Sequence, residues 1–178
     1  MKTTAIFASV LACAGGALAA EDTFKLIATG SGSSIDGKYL KVNAGFFYIG
    51  KETNSTCGDI APVFEGGNEG WLAMYANGEQ NQQQVYADIS GATDGLLSYT
   101  GPIVEATNPD HVTDQFSRAA DGKLSYADSN WLACPQATGE YLVYPEKAYG
   151  SPVGKDKCTT FEITTKKVRT PKVVCVYQ

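Results

Sequence analysis

Triad catalysis is the first chemistry to test, because a Ser-His-Asp or Cys-His group requires a histidine beside its nucleophile. The chain contains one histidine, His111, in the turn-forming run Asn108-Pro109-Asp110-His111. No Gly-x-Ser-x-Gly motif lies near it, and a loop histidine without such partners is usually a solvated side chain. The residues therefore predict no nucleophile, no general base and no catalytic site of this kind.

Paired carboxylates are a second possibility, since cleavage of a glycosidic bond needs only two acids across a cleft. The chain has 19 Asp and Glu residues, and nothing in their spacing singles out a pair. The acids available for such a pair are Glu65, Asp88, Asp94, Glu105, Asp110 and Asp114. A carboxylate-dependent glycoside hydrolase is therefore an alternative, and a solvated acidic surface is the simpler interpretation.

Aromatic side chains offer binding rather than catalysis, because their rings present flat faces that can stack on the apolar faces of sugars. Phe46, Phe47 and Tyr48 are consecutive, so at least one of these rings points away from the core of a half-buried strand. Packing in the core is the competing interpretation. The residues predicted for a carbohydrate platform are Trp71, Tyr75, Trp131 and Tyr141.

The cysteines indicate an oxidising compartment. Cys13 falls in the N-terminal leader, and the four that remain predict two disulfides among Cys57, Cys134, Cys158 and Cys175. Three pairings are possible. We favour Cys134–Cys158, which closes a short connection, and Cys57–Cys175, which ties a distant loop to the last predicted strand. No Cys-x₂-Cys spacing occurs, so neither a metal site nor a cofactor is predicted.

Residues 1–19 predict a signal peptide. Lys2 precedes an apolar run from Ala5 to Ala14, and Ala17-Leu18-Ala19 is a small-residue cleavage site. The run is shorter than the roughly 20 residues that span a bilayer, and no later segment predicts a transmembrane helix. Residues 20–178 are then a single secreted domain. Its 13 basic and 19 acidic side chains give a net charge of −6, which argues against nucleic-acid binding.

Asn54-Ser55-Thr56 is an N-glycosylation sequon in a polar stretch directly before Cys57. A glycan on Asn54 would place this loop at the surface of the secreted protein. An unoccupied sequon is the alternative interpretation.

The elements that must position these residues are strands. Short runs of β-branched and aromatic residues are separated by Gly, Asn, Asp, Ser or Pro, without a helical period of useful length. The pattern predicts an all-β fold, a single antiparallel β-barrel or β-sandwich with two disulfides. Strands are predicted at 24–28, 39–42, 46–49, 62–64, 71–75, 84–89, 96–99, 115–118, 123–126, 130–133, 141–144, 159–165 and 172–177.

Turn residues agree with this fold, because Asp-Gly and Asn-Gly pairs tolerate the positive φ of a hairpin reversal. The turn-and-strand segment 94–99 is nearly repeated at 121–126, with apolar residues two apart as strand alternation requires. The amide-rich run 81–84 predicts an exposed turn. The four candidate reversals are Asp36-Gly37, Asn77-Gly78, Asp94-Gly95 and Asp121-Gly122.

Several segments, in order along the chain, resemble the fungal cell-wall protein family typified by PhiA. The resemblance is carried by FKLIA at 24–28, QQVYADISG at 83–91, GLLSYTG at 95–101, DGKLSY at 121–126, WLACP at 131–135 and PKVVCVY at 171–177. The cysteines match as well. The resemblance implies a secreted or wall-associated protein of conidium development with no known catalytic residues, and relatives of this kind can act as allergens or effectors.

The leading functional hypothesis is therefore a secreted, non-catalytic structural or interaction protein of the fungal cell wall that takes part in conidiation and binds wall polysaccharide. The first alternative is a secreted effector, elicitor or allergen whose partner is a host protein. The second alternative is the glycoside hydrolase.

Overall fold

In a computed structural model of the chain, residues 22–78, 82–151 and 154–178 are described, and the predicted signal peptide lies outside them. Apart from a 3₁₀ turn at Lys155–Lys157, the regular elements of these residues are thirteen β-strands. They are β1 (Phe24–Thr29), β2 (Lys41–Asn43), β3 (Phe46–Ile49), β4 (Phe64–Gly66), β5 (Leu72–Met74), β6 (Val85–Asp88), β7 (Leu96–Tyr99), β8 (His111–Val112), β9 (Phe116–Arg118), β10 (Lys123–Tyr126), β11 (Trp131–Pro135), β12 (Tyr141–Pro145) and β13 (Thr159–Lys167).

The strands form one curled antiparallel sheet, a half-barrel in the order β5-β4-β1-β13-β11-β12-β3-β7-β6-β8. Outside this order, β10 pairs with both β13 and β9, and β2 pairs with β3. A bridge between Ala73 and Gln84 also joins β5 to the residue before β6. The prediction of an antiparallel all-β fold is confirmed. In the described part of the chain, no helix is long and apolar enough to cross a membrane.

The core lies on the concave side of this sheet and is rich in aromatic rings. β1 shows strict alternation, with Phe24, Leu26 and Ala28 buried and their neighbours half-buried. Phe47 of β3 is fully buried, and its ring centroid lies 5.9 Å from that of Phe64 and 6.0 Å from that of Tyr99. Side chains from both ends of the strand order therefore meet in one core.

The two disulfides join Cys57 to Cys175 and Cys134 to Cys158, with Cα atoms 5.6 Å and 4.2 Å apart. The favoured pairing is therefore confirmed. Cys134 lies in β11, and Cys158 directly precedes β13, which pairs with β11. Strand pairing thus brings the second pair together.

The predicted strand at 172–177 is wrong. The segment forms no regular strand: a bridge joins Tyr177 to Ser55, and the Thr56 backbone N–H donates to the Val176 carbonyl at 2.9 Å. At His111 a strand is present where the turn residues predict a loop. His111 lies in the two-residue strand β8, which pairs with β6 and is too short to show alternation.

The repeated turn-and-strand segment becomes β7 and β10, each preceded by a glycine with positive φ. Gly95 has φ 90°, and a Cβ atom built on it would lie 2.0 Å from the Ala148 carbonyl oxygen. Both the left-handed backbone and the close approach of another loop therefore require glycine here.

Candidate carbohydrate-binding groove

A groove of about 800 Å³ opens beside β5, and we call it the Trp71 groove. Its lining comes from the start of β5, from Gln82 and Gln84 before β6, from the loop at 103–107, and from Thr113. The lining residues are Trp71, Ala73, Gln82, Gln84, Ile103, Val104, Glu105, Ala106, Thr107 and Thr113.

The position of the Trp71 ring depends on Gly66. Gly66 ends β4 with φ 91°, and a Cβ atom on it would lie 2.7 Å from ring atoms of Trp71. The Gly67 backbone N–H donates to the Trp71 carbonyl at 2.6 Å and closes the hairpin between β4 and β5. The half-buried indole therefore rests directly on backbone, in one fixed place along the groove.

Gln82 is held by a buried acid. Glu65 in β4 is 3% exposed, and its Oε1 atom accepts a hydrogen bond from Gln82 Nε2 at 2.5 Å. A buried carboxylate that accepts from a side-chain amide fixes which way that amide points. The groove thus has one oriented amide on its polar side.

The glutamine run is not a uniformly exposed turn, as the sequence predicted, and Asn81 lies outside the described residues. Gln83 is 2% exposed, and its Nε2 atom donates to the carbonyls of Thr100 and Tyr177 at 2.9 and 2.8 Å. Its Oε1 atom accepts from the Tyr177 backbone N–H at 2.7 Å. Gln82 and Gln84 line the groove on either side of it. Gln83 thus fastens the C-terminal segment to the sheet.

The opposite wall presents apolar side chains to solvent. Ile103 is 73% exposed and Val104 is 56% exposed. Ile103 also has φ 64°, a left-handed conformation that costs a β-branched residue about 1–3 kcal/mol. Glu105 and Thr107 follow in the same wall and add a carboxylate and a hydroxyl. The groove therefore combines an aromatic ring, apolar methyl groups and hydrogen-bonding groups, a set that can bind a neutral polyol.

Of the four predicted platform residues, Trp71 alone lines this groove. Trp131 is 0% exposed, and its Nε1–H donates to the Leu124 carbonyl at 2.8 Å. The platform prediction is therefore wrong for Trp131, because its register opposite Phe161 turns it into the core. Tyr75 is 8% exposed, and its hydroxyl donates to Asn77 at 2.7 Å. Tyr141 is half-buried in β12, outside the groove.

The candidate acids do not converge on the groove. Glu105 lines it directly, and Glu65 lies behind Gln82. Asp88 ends β6, where its Oδ1 atom accepts from the Ser90 backbone N–H at 3.0 Å. Asp94 lies in the turn before β7, and Asp110 and Asp114 are exposed on either side of β8.

His111 belongs to the edge of the sheet. Its ring stacks on Tyr86 with centroids 4.0 Å apart, and its Nε2 atom lies 3.8 Å from Asp88 Oδ2. Burial acts to raise the pKa of Asp88, but hydrogen bonds from Ser90 and Thr93 and the nearby His111 outweigh it, so the pKa is lowered. These contacts hold the short strand β8 against β6.

Asn54 is exposed, in the loop before Cys57. Its backbone N–H donates to the Val42 carbonyl at 3.2 Å, and its carbonyl accepts from the Gln178 N–H at 3.0 Å. The hydroxyl of Thr56 accepts from the Val176 N–H at 3.0 Å. The sequon is therefore on the surface, and its backbone is tied to the C-terminus.

A small antiparallel β domain closed by two disulfides is the architecture of a secreted protein. The chain belongs to the PhiA-like secreted protein family, whose model matches residues 24–178. It is 24% identical to a protein of Emericella nidulans described as cell wall protein phiA, over 186 residues that cover 99% of this chain and 98% of that relative. No solved structure matches the chain. The predicted family and the prediction of secretion are confirmed.

Proposed function

We propose that this protein is a non-catalytic structural or interaction protein of the fungal cell wall, and that it binds a neutral wall polysaccharide in the Trp71 groove. Membership of a secreted family and the similarity to a cell wall protein support a location in the wall. The observation that carries the binding role is the Trp71 ring, which rests on Gly66 beside an amide fixed by Glu65.

Preorganisation is the physical argument for binding. A sugar ring would stack on the indole, and its hydroxyl groups would exchange hydrogen bonds with Gln82, Glu105 and Thr107. Because Gly66 and Glu65 already hold Trp71 and Gln82, little side-chain freedom is lost on binding. The exposed methyl groups of the loop wall would cover the apolar edge of the sugar.

The composition of the groove also favours binding over hydrolysis. Glycoside hydrolysis needs two carboxylates about 5–9.5 Å apart across the scissile bond. Among the described residues that line the groove, Glu105 supplies the single carboxylate. We therefore expect no release of reducing sugar from chitin, β-glucan or mannan, and release that disappears in Glu105→Gln would overturn this part of the proposal.

The test of binding is a pull-down of the secreted protein on insoluble chitin, β-glucan and mannan. Binding to at least one polymer is expected, with a loss of about tenfold in Trp71→Ala. Tyr141→Ala is the matched control, since Tyr141 is a half-buried aromatic residue outside the groove. A folded wild-type protein that binds none of the three polymers would refute the proposal, as would equal losses in the two variants.

Cell fractionation tests the wall location. We expect the protein in the wall fraction and a conidiation defect in a deletion strain. Recovery from the free medium alone, with induction confined to host contact, would favour a host-directed effector instead.

We also propose that Asn54 carries an N-glycan, because the sequon is exposed and precedes a disulfide of a secreted chain. Treatment with a peptide-N-glycosidase should increase the electrophoretic mobility of the wild-type protein and leave Asn54→Gln unchanged. An unchanged wild-type mobility would refute the glycan.

A further inference from the structure

A second cavity, of about 330 Å³, lies beside the Cys57–Cys175 disulfide, and we call it the disulfide pocket. The loop at 57–63 and the C-terminal segment at 171–177 form its walls, and the rings of Tyr75 and Tyr177 line it between them. It shares no lining residue with the Trp71 groove. Its volume is at the lower end of the range for small-molecule sites.

The pocket is apolar and its rim is exposed. Ile60 and Val173 line it while remaining 38% and 67% exposed, so apolar surface is left in water on both walls. The hydroxyl of Tyr75 donates to Asn77 at 2.7 Å, so the polar end of this ring is engaged. Tyr177 is 4% exposed. Such a lining suits a hydrocarbon or aromatic body rather than a sugar.

The charges at this pocket are positive. Lys25 and Lys172 line it, and no carboxylate does so among the described residues. The ion pairs of the described residues include neither lysine, although the chain as a whole is acidic. The nearest acid along the loop, Asp59, is paired with Lys41 at 2.6 Å. The Lys25 Nζ atom lies 5.6 Å from the centroid of the Tyr39 ring, which does not line the pocket. Two lysines without carboxylate partners among the described residues therefore line an apolar cavity.

The walls are already fastened without a ligand. The disulfide ties Cys175 to the loop at 57–63, and Gln83 binds the Tyr177 backbone through both its N–H and its carbonyl. A pocket that needs no ordering of its walls loses little binding energy to conformational entropy.

We propose that the disulfide pocket binds a small amphiphilic carboxylate. Its apolar body would lie against Ile60, Val173 and the two tyrosine rings, and its carboxylate would meet Lys25 and Lys172. Charge complementarity selects an anion, and the small apolar volume selects a short chain or single ring over a polymer.

The test is isothermal titration of the intact, oxidised protein with decanoate, and with decanol as the uncharged probe of the same chain length. One decanoate is expected per chain, bound more tightly than decanol. In Lys25→Gln/Lys172→Gln, decanoate affinity should fall about tenfold while decanol affinity stays constant. Val173→Asp, a change at an exposed position, should weaken both probes.

Two variants serve as controls. Lys51→Gln removes a lysine that lies outside the pocket, over the Tyr48 ring, and Trp71→Ala alters the groove; both should bind decanoate like the wild type. The Trp71→Ala control also separates this proposal from polysaccharide binding. No saturable decanoate binding, equal affinity for decanol, or unchanged decanoate affinity in Lys25→Gln/Lys172→Gln would overturn it.

Discussion

Removal of the Cys57–Cys175 disulfide should cost more stability than removal of Cys134–Cys158. The first bridge spans 118 residues of sequence and the second spans 24. A cross-link removes more entropy from the unfolded chain when the loop it closes is longer, and the chain-entropy relation gives about 4.9 and about 3.4 kcal/mol for these two loops. The expected difference in the free energy of unfolding is therefore about 1.4 kcal/mol.

The native contacts around the two bridges also differ. Pairing of β11 with β13 brings Cys134 and Cys158 close together. Cys175 instead belongs to a segment without a regular strand partner in the described structure, bound through the Ser55–Tyr177 bridge and Gln83. The loss of the Cys57–Cys175 bridge should therefore also loosen the C-terminus.

Equilibrium unfolding in guanidinium chloride measures this difference. The variants are Cys57→Ala/Cys175→Ala and Cys134→Ala/Cys158→Ala, which leave no unpaired thiol behind. We expect the first variant to have the lower free energy of unfolding at a similar denaturant dependence. Equal stabilities, or a lower stability of the second variant, would refute the reasoning from loop length.

Further predictions concern Gly95 and two tyrosines. Gly95→Ala should destabilise by about 2–4 kcal/mol, because its Cβ atom would meet the Ala148 carbonyl and its φ is positive. Gly78 also has a positive φ, but nothing lies near its Cβ position, so Gly78→Ala should lose only about 1 kcal/mol of stability. Thermal melts of the two variants measure this difference, and equal losses would contradict the steric argument. Burial raises the pKa of Tyr126 and of Tyr177 to about 12, from about 10 when unfolded. The unfolded chain loses these protons first, so stability should fall as pH rises from about 10 to about 12. In Tyr177→Phe, the free energy of unfolding should fall less steeply over this pH range than in the wild type. An unchanged pH dependence would contradict the raised pKa of Tyr177.

Local patterns predict much of the fold because they act within a few residues. Alternation identifies β1 without reference to its partners, and an Asp-Gly pair identifies the positive φ at Gly95. The same pattern cannot show that the Ala148 carbonyl approaches Gly95, since that contact joins two distant loops. The sequence predicts neither the strand β8 nor the irregular C-terminal segment, for the same reason: their pairing is decided by distant residues.

The site is less predictable than the fold. Trp71 and Trp131 both stand in short apolar runs, and only the register across the sheet places Trp131 opposite Phe161 in the core. The contact between Gln82 and Glu65 spans 17 residues and depends on β5 lying between their segments. The residues around Glu65 and those around Gln82 give no local indication of this contact. The choice of Trp71 among the four aromatic candidates therefore required the structure.

Tryptophan fluorescence tests the central claim most directly, because the chain has two tryptophans and Trp131 is fully buried with its N–H bonded. The titrant is a soluble oligosaccharide of the polymer that binds in the pull-down. A saturable change in emission is expected for the wild type and no change for Trp71→Phe, whose remaining emission comes from Trp131. The same saturable change in Trp71→Phe, or none in a wild-type protein that binds the polymer, would contradict a binding site at Trp71.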